Sequence, residues 1–141
     1  MVVPNPAVAP GPGISNIGQI AVRVHDLARA TAFYRDTLGL PFLFATPDLG
    51  FFNCGGVRLM LSRPEKPEFD HPGSVLYFRV SNITEAFHSL RAKGTRMVDE
   101  PHLIARMPDH ELWMCFFHDS EENLLALMSE VPMGGRILSM R

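Results

Sequence analysis

The chain has 141 residues, 46% hydrophobic and 20% charged, with 15 acidic side chains against 13 basic and a formal net charge of −2. That balance, with arginines scattered rather than clustered, leaves no electrostatic footprint for a phosphate backbone and speaks against nucleic acid as a partner. No apolar run approaches the roughly 18 residues a bilayer demands, and Cys54 and Cys115 belong to no paired-cysteine motif, so a cytoplasmic, reducing setting without membrane contact is expected.

Residues 1–13, MVVPNPAVAPGPG, lack the basic start and unbroken apolar stretch of a secretory signal, and their prolines and glycines predict an extended tail. From Ile17 to Val24 the β-branched string IGQIAVRV predicts a strand, and Asp26 can cap a helix beginning at Leu27. That helix places Leu27, Ala30, Tyr34 and Leu38 on one apolar stripe and ends at Gly39. Three strands follow at about Pro41 to Ala45, Leu49 to Cys54 and Val57 to Ser62, the last two joined by a glycine hairpin. Ser62 to Gly73, rich in proline and charge, forms a linker.

The pattern then begins again. A strand from Val75 to Val80 leads through the cap Asn82 into a helix from Ile83 to Lys93 that ends at Gly94. Residues 56 positions apart match, Arg23 with Arg79, Val24 with Val80, Leu27 with Ile83 and Ala30 with Ala86, and the two helix-ending glycines are 55 apart. A strand from about Thr95 to Val98, a long loop from Asp99 to Trp113, and the strands LWMCFFHD and NLLALMS complete the second unit. The fold class is therefore α+β, two tandem βαβββ repeats. One such unit leaves a face of its sheet uncovered, so two curved sheets are expected to combine into a cup lined by every second side chain.

The segment Ile17 to Phe42, with its DL-x(2)-A-x(2)-FY-x(3)-LG pattern, and FFHDSEENLLALM from Phe116 to Met128 resemble the signatures of the vicinal oxygen chelate superfamily. This group includes glyoxalase I, bleomycin-binding proteins, fosfomycin-resistance enzymes, methylmalonyl-CoA epimerase and extradiol dioxygenases. The likeness runs from about Ile14 to Val131, which divides the chain into a tail at 1–13, a domain at 14–131 with repeats at about 14–66 and 72–131, and a second tail at 132–141. It speaks to fold more than to reaction, since the fold hosts many chemistries.

The resemblance implies four metal-ligand positions, one from each of four strands, which fall here on Gln19, Met60, Val75 and Ala126. Only Gln19 offers a hard donor. Met60 is a thioether, and Val75 and Ala126 offer nothing, so the usual metal is expected to be absent and no cofactor is implied. The family's glutamate base maps onto Met60 and Ala126, which cannot take a proton.

Strand parity predicts a cup lined by Gln19, Ala21 and Arg23; Gly50, Phe52 and Cys54; Arg58, Met60 and Ser62; Val75, Tyr77 and Arg79; Leu112, Met114 and Phe116; and Leu124, Ala126 and Met128. Such an apolar, aromatic and methionine-rich lining suits the body of an organic ligand. The expected ligand-binding residues are Gln19, Arg23, Phe52, Met60, Tyr77, Arg79, His102, Met114, Phe116 and Met128. Arg23 and Arg79 share one repeat position; they either clamp an anion or pair with nearby carboxylates. In the resemblance, Arg23 corresponds to an arginine that contacts a glutathione carboxylate in glyoxalase I.

The separation from Val75 to Ala126 is 51 residues against 41 from Gln19 to Met60, and the expected loop holding His102, Asp109, His110 and Glu111 absorbs the difference. The leading expectation is a homodimer that binds a small organic molecule without metal, as bleomycin-binding members do. The alternative is a lyase or isomerase with a nonstandard site in the His102/His110 loop. A third is a structural or regulatory partner with a collapsed cup.

Overall fold

A computed structural model describes residues 11–132. The expected tails thus fall mostly outside the described residues.

Strand β1, Gln19–Arg23, leads into helix α1, Leu27–Ala32, whose start is fixed by Asp26 accepting the Arg29 N–H at 3.0 Å. A wider π turn over Phe33–Thr37 continues the helix. Strands β2, Phe42–Ala45, β3, Leu49–Cys54, and β4, Val57–Ser62, form a sheet in the order β1-β4-β3-β2, with β1 parallel to β4. The β3–β4 turn needs positive φ at both central residues, which Gly55 and Gly56 supply at +59° and +92°.

The second repeat copies this plan. Strand β5, Leu76–Arg79, is followed by helix α2, Ile83–Ala92, capped by Asn82 accepting the Glu85 N–H at 3.1 Å. Strands β6, Arg96–Met97, and β7, His102–Arg106, both pair with β8, His110–His118, which pairs with β9, Leu124–Pro132. The order β5-β9-β8-β6, with β5 parallel to β9, reproduces that of the first sheet, β6 and β7 together filling the place of β2. The molecule is α+β with two mixed sheets.

The expected long loop from Asp99 to Trp113 is instead a hairpin. Its β7 arm runs antiparallel to β8 with a register shift between Leu103 and Ala105, and the turn closes through the Met107 N–H donating to the His110 carbonyl at 2.7 Å. The extra length of this repeat goes into strands: β8 and β9 have nine residues each where β3 and β4 have six. His102 and His110 begin two of these strands, so no loop carries them.

One core joins the repeats. Val22, Val24, Ala30, Tyr34, Phe52, Leu59 and Leu61 pack in one cluster with Ile83, Phe87, Leu90, Cys115, Phe117, Leu125 and Leu127. Each large side chain so buried contributes about 1.5–3 kcal/mol of transfer free energy. Cys115 is one of these fillers; burial, then the charge of Asp99, pushes its thiol up to about 12.

A polar clasp adds to the core. In the β8–β9 turn, the Asp119 carboxylate accepts the N–H groups of Glu121 and Asn123 at 2.8 Å each and the Tyr34 hydroxyl at 2.7 Å. The Glu121 carboxylate accepts the N–H groups of His25 and Asp26 at 2.9 and 3.0 Å and the Arg29 Nε–H at 2.8 Å, while the Asn123 amide donates to the Arg23 carbonyl at 2.9 Å. The segment DSEEN thus staples the second repeat onto the β1–α1 junction of the first. Among the described residues β1 pairs only with β4 and β5 only with β9, so each sheet keeps an open edge.

Candidate ligand site

Each sheet turns one face to the shared core and leaves the other open. Register assigns the side chains. On the first sheet Gln19 stands beside Arg58, Ala21 beside Met60 and Arg23 beside Ser62, and across the next pair Phe51 faces Met60 and Asn53 faces Arg58. Phe44, opposite Phe51, stacks on it at 4.5 Å.

The expected parity of β3 is therefore reversed. Phe52 pairs with Leu59, is fully buried, and packs against Tyr34 and Phe42 with ring centroids 6.1 and 5.4 Å away. Gly50 lies on the same core side, where an added Cβ would come within 3.2 Å of Thr31 Oγ1. Two adjacent phenylalanines give alternation no direction. The two-residue Gly55-Gly56 turn carries the missing signal, because it sets Cys54 opposite Val57 and hence Phe51 opposite Met60.

Gln19 is engaged on both sides. Arg58 Nε donates to Gln19 Oε1 at 2.7 Å, the Gln19 amide contacts Met60 Sδ at 3.7 Å, and the Arg58 guanidinium lies 5.5 Å from the Phe51 ring centre. Arg23 reaches Asp70 at 3.5 Å, and the His25 hydrogen bond to Asp70 at 2.9 Å holds that carboxyl below its usual range.

On the second sheet Tyr77 and Phe116 flank Ala126 and meet edge to face at 5.8 Å, and Met114 stands opposite Met128. Arg79 donates to Glu130 at 2.7 Å. Of the two alternatives for the repeated arginines, carboxylate pairing is what both positions show. His102 shares the open face with Met114 and donates from Nδ1 to the Glu100 carbonyl at 2.9 Å, and His110 Nδ1 donates to Asp109 at 2.7 Å. Among the described residues no hydrogen bond, ion pair or ring contact joins the group of Gln19, Arg23 and Met60 to that of Tyr77, Arg79, His102, Met114, Phe116 and Met128. Two of the clefts on the described surface lie elsewhere. One of about 760 Å³ lies beside His25, Leu27, Thr31, Pro47 and Arg63, and one of about 260 Å³ beside Phe33, Lys93, Arg96 and His118. Neither is lined by any of the ten expected ligand-binding residues.

Residues 16–127 match the family model of the Glyoxalase/Bleomycin resistance protein/Dioxygenase superfamily. The chain belongs to this superfamily. The uncharacterized protein YraH of Bacillus subtilis (strain 168) is 25% identical over 126 residues, covering 77% of this chain and 94% of that protein. Among solved structures, the antibiotic binding protein TnmS3 of Streptomyces sp. CB03234 superposes with a TM-score of 0.68 at 23% identity, over 85% of this chain and 99% of that one. A lactoylglutathione lyase from Agrobacterium tumefaciens gives a TM-score of 0.63 at 23% identity, over 83% and 95%. At these identities the two structures share the fold.

The metal that many glyoxalase/bleomycin resistance proteins carry does not fit this chain. The one hard donor of the four positions, Gln19 Oε1, already accepts from a guanidinium whose positive charge opposes a cation beside it. Met60 offers a thioether engaged with the same amide, and Val75 and Ala126 carry no donor atom. Among the described residues no group of three His, Cys, Asp or Glu side chains is placed to hold an ion elsewhere.

Proposed function

We propose that this glyoxalase/bleomycin resistance protein binds a small organic molecule without a metal, in a cup whose walls are the open face of one sheet and the open face of the other sheet from a second copy. The observation that carries the reading is the Arg58–Gln19 hydrogen bond of 2.7 Å, which commits the first metal-ligand position to a protein cation. The walls are apolar and partly bare: Phe44 is 49% exposed and Tyr77 45%. Bare aromatics on sheets with unpaired β1 and β5 edges favour association with another copy, and a twofold pairing would complete two cups at once. The ligand-binding residues on this reading are Gln19, Arg23, Met60, Tyr77, Arg79, His102, Met114, Phe116 and Met128, joined by Phe44, Phe51 and Arg58, while Phe52 supports the wall from behind.

The test is a titration of chelator-treated protein with the neutral apolar fluorophore N-phenyl-1-naphthylamine. Saturable binding, unchanged when zinc or nickel is added and weakened by Tyr77→Arg, is expected. No saturable binding, or binding that needs the metal, contradicts the proposal.

A further inference from the structure

Three arginines lie on the open sheet faces, and their partners differ. Arg23 is paired with Asp70 and Arg79 with Glu130. Arg58 makes no ion pair among the described residues; its contacts are the Gln19 oxygen at 2.7 Å and the face of Phe51 at 5.5 Å. The first sheet's open face around it, Gln19, Ala21, Met60, Phe51, Asn53 and Phe44, contains no acid. One contact engages Nε and the other the ring plane, so both Nη amino groups are left without a described hydrogen-bond partner. The guanidinium is thus oriented by its neighbours and electrically uncompensated, on a wall of aromatic and thioether surface.

Resting on the proposed ligand cup, we infer that Arg58 selects the chemical class of its occupant: an aromatic or otherwise planar organic acid, whose anionic oxygens meet the guanidinium while its ring lies against the half-exposed Phe44, the Phe51 ring being buried beneath Phe44 and Arg58. Closing a cup over an unpaired guanidinium with a neutral ligand strips the charge of water and gives nothing in return, whereas a carboxylate or sulfonate supplies two oxygens matched to the Nη donors. Gln19 is then a positioning residue, which fixes Arg58 through Nε and leaves the fork free.

Two fluorophores with the same ring system separate charge from apolar fit: 1-anilinonaphthalene-8-sulfonate and its neutral counterpart N-phenyl-1-naphthylamine. The full chain is expected to bind the sulfonate about tenfold or more tighter than the neutral probe, the scale of a charge-assisted hydrogen bond. Arg58→Met should erase that difference by weakening the sulfonate and tightening the neutral probe, which no longer strips a charge of water, and Arg58→Lys, which keeps the charge but loses the fork, should retain part of it. Equal affinity of the wild type for both probes, or an Arg58→Met loss shared equally by both, overturns the role of Arg58 and leaves the organic-ligand cup standing. Absence of binding by either probe overturns the cup itself and this inference with it. Both substitutions replace an exposed side chain, and an unchanged circular dichroism spectrum verifies that the fold survives.

Discussion

Tyr34 shows how one side chain ties the two repeats together. It is fully buried, its ring packs against Phe33 and Phe52, and its hydroxyl donates to Asp119 across the repeat boundary at 2.7 Å. Tyr34→Phe keeps the ring and removes the bond to a carboxylate, so urea unfolding should show a loss of about 1.5–3 kcal/mol. Burial first, then the charge of Asp119, raises the Tyr34 phenol well above its ordinary range. The stability linked to it is present below the unfolded phenol's titration and is lost as pH rises above about 10 toward the folded one. Glu121 works in the opposite sense. Burial would raise its carboxyl, but the hydrogen bond from Arg29, the N–H groups of Asp26 and His25, and the Arg29 charge outweigh burial and lower it. The clasp therefore holds above the ordinary carboxyl range and loosens as pH falls through the depressed value. Glu121→Gln should flatten the acid limb of a stability-against-pH curve; an unchanged limb would show that other carboxylates set it.

The turn joining β8 to β9 carries a backbone cost that its contacts offset. Glu122 has φ +66°, the left-handed region that side chains disfavour, while Asp119 caps the N–H groups on either side of it. Glu122→Gly should raise stability by about 0.5–1 kcal/mol, read as a higher urea midpoint at constant slope; a lower midpoint would mean that its side chain matters more than its φ. Asn82→Ala should cost about 1 kcal/mol by removing the cap of α2. Both helix caps, the repeat and the glycine hairpin were legible in the sequence, because each rests on chemistry local to a few residues. The β7–β8 hairpin was not: HLIAR between Pro101 and Pro108 is too short and irregular to alternate, and only pairing with β8 makes it a strand. The face of β3 was hidden by Phe51 and Phe52 standing side by side. The Arg58–Gln19 contact was hidden by a sequence separation of 39, which only the parallel β1–β4 register closes.

At the scale of the molecule, the shared core and the clasp hold two sheets whose remaining faces and edges are open. Ala21 is exposed at the middle of the β1 face, so on the proposed pairing of two copies Ala21→Arg should leave thermal stability of the monomer unchanged and shift sedimentation toward the monomer. A wild-type chain that sediments as a monomer at every concentration would remove the second wall. Donor chemistry separates this protein from its metal-using relatives, since four positions that grip an ion elsewhere in the superfamily here offer an amide already taken, a thioether, and two hydrocarbon side chains. The most direct measurement is elemental analysis of untagged protein after dialysis against zinc, nickel, manganese and Fe(II). The account predicts substoichiometric metal that Gln19→Ala does not change. One tightly held divalent ion per chain, lost on Gln19→Ala, would contradict it.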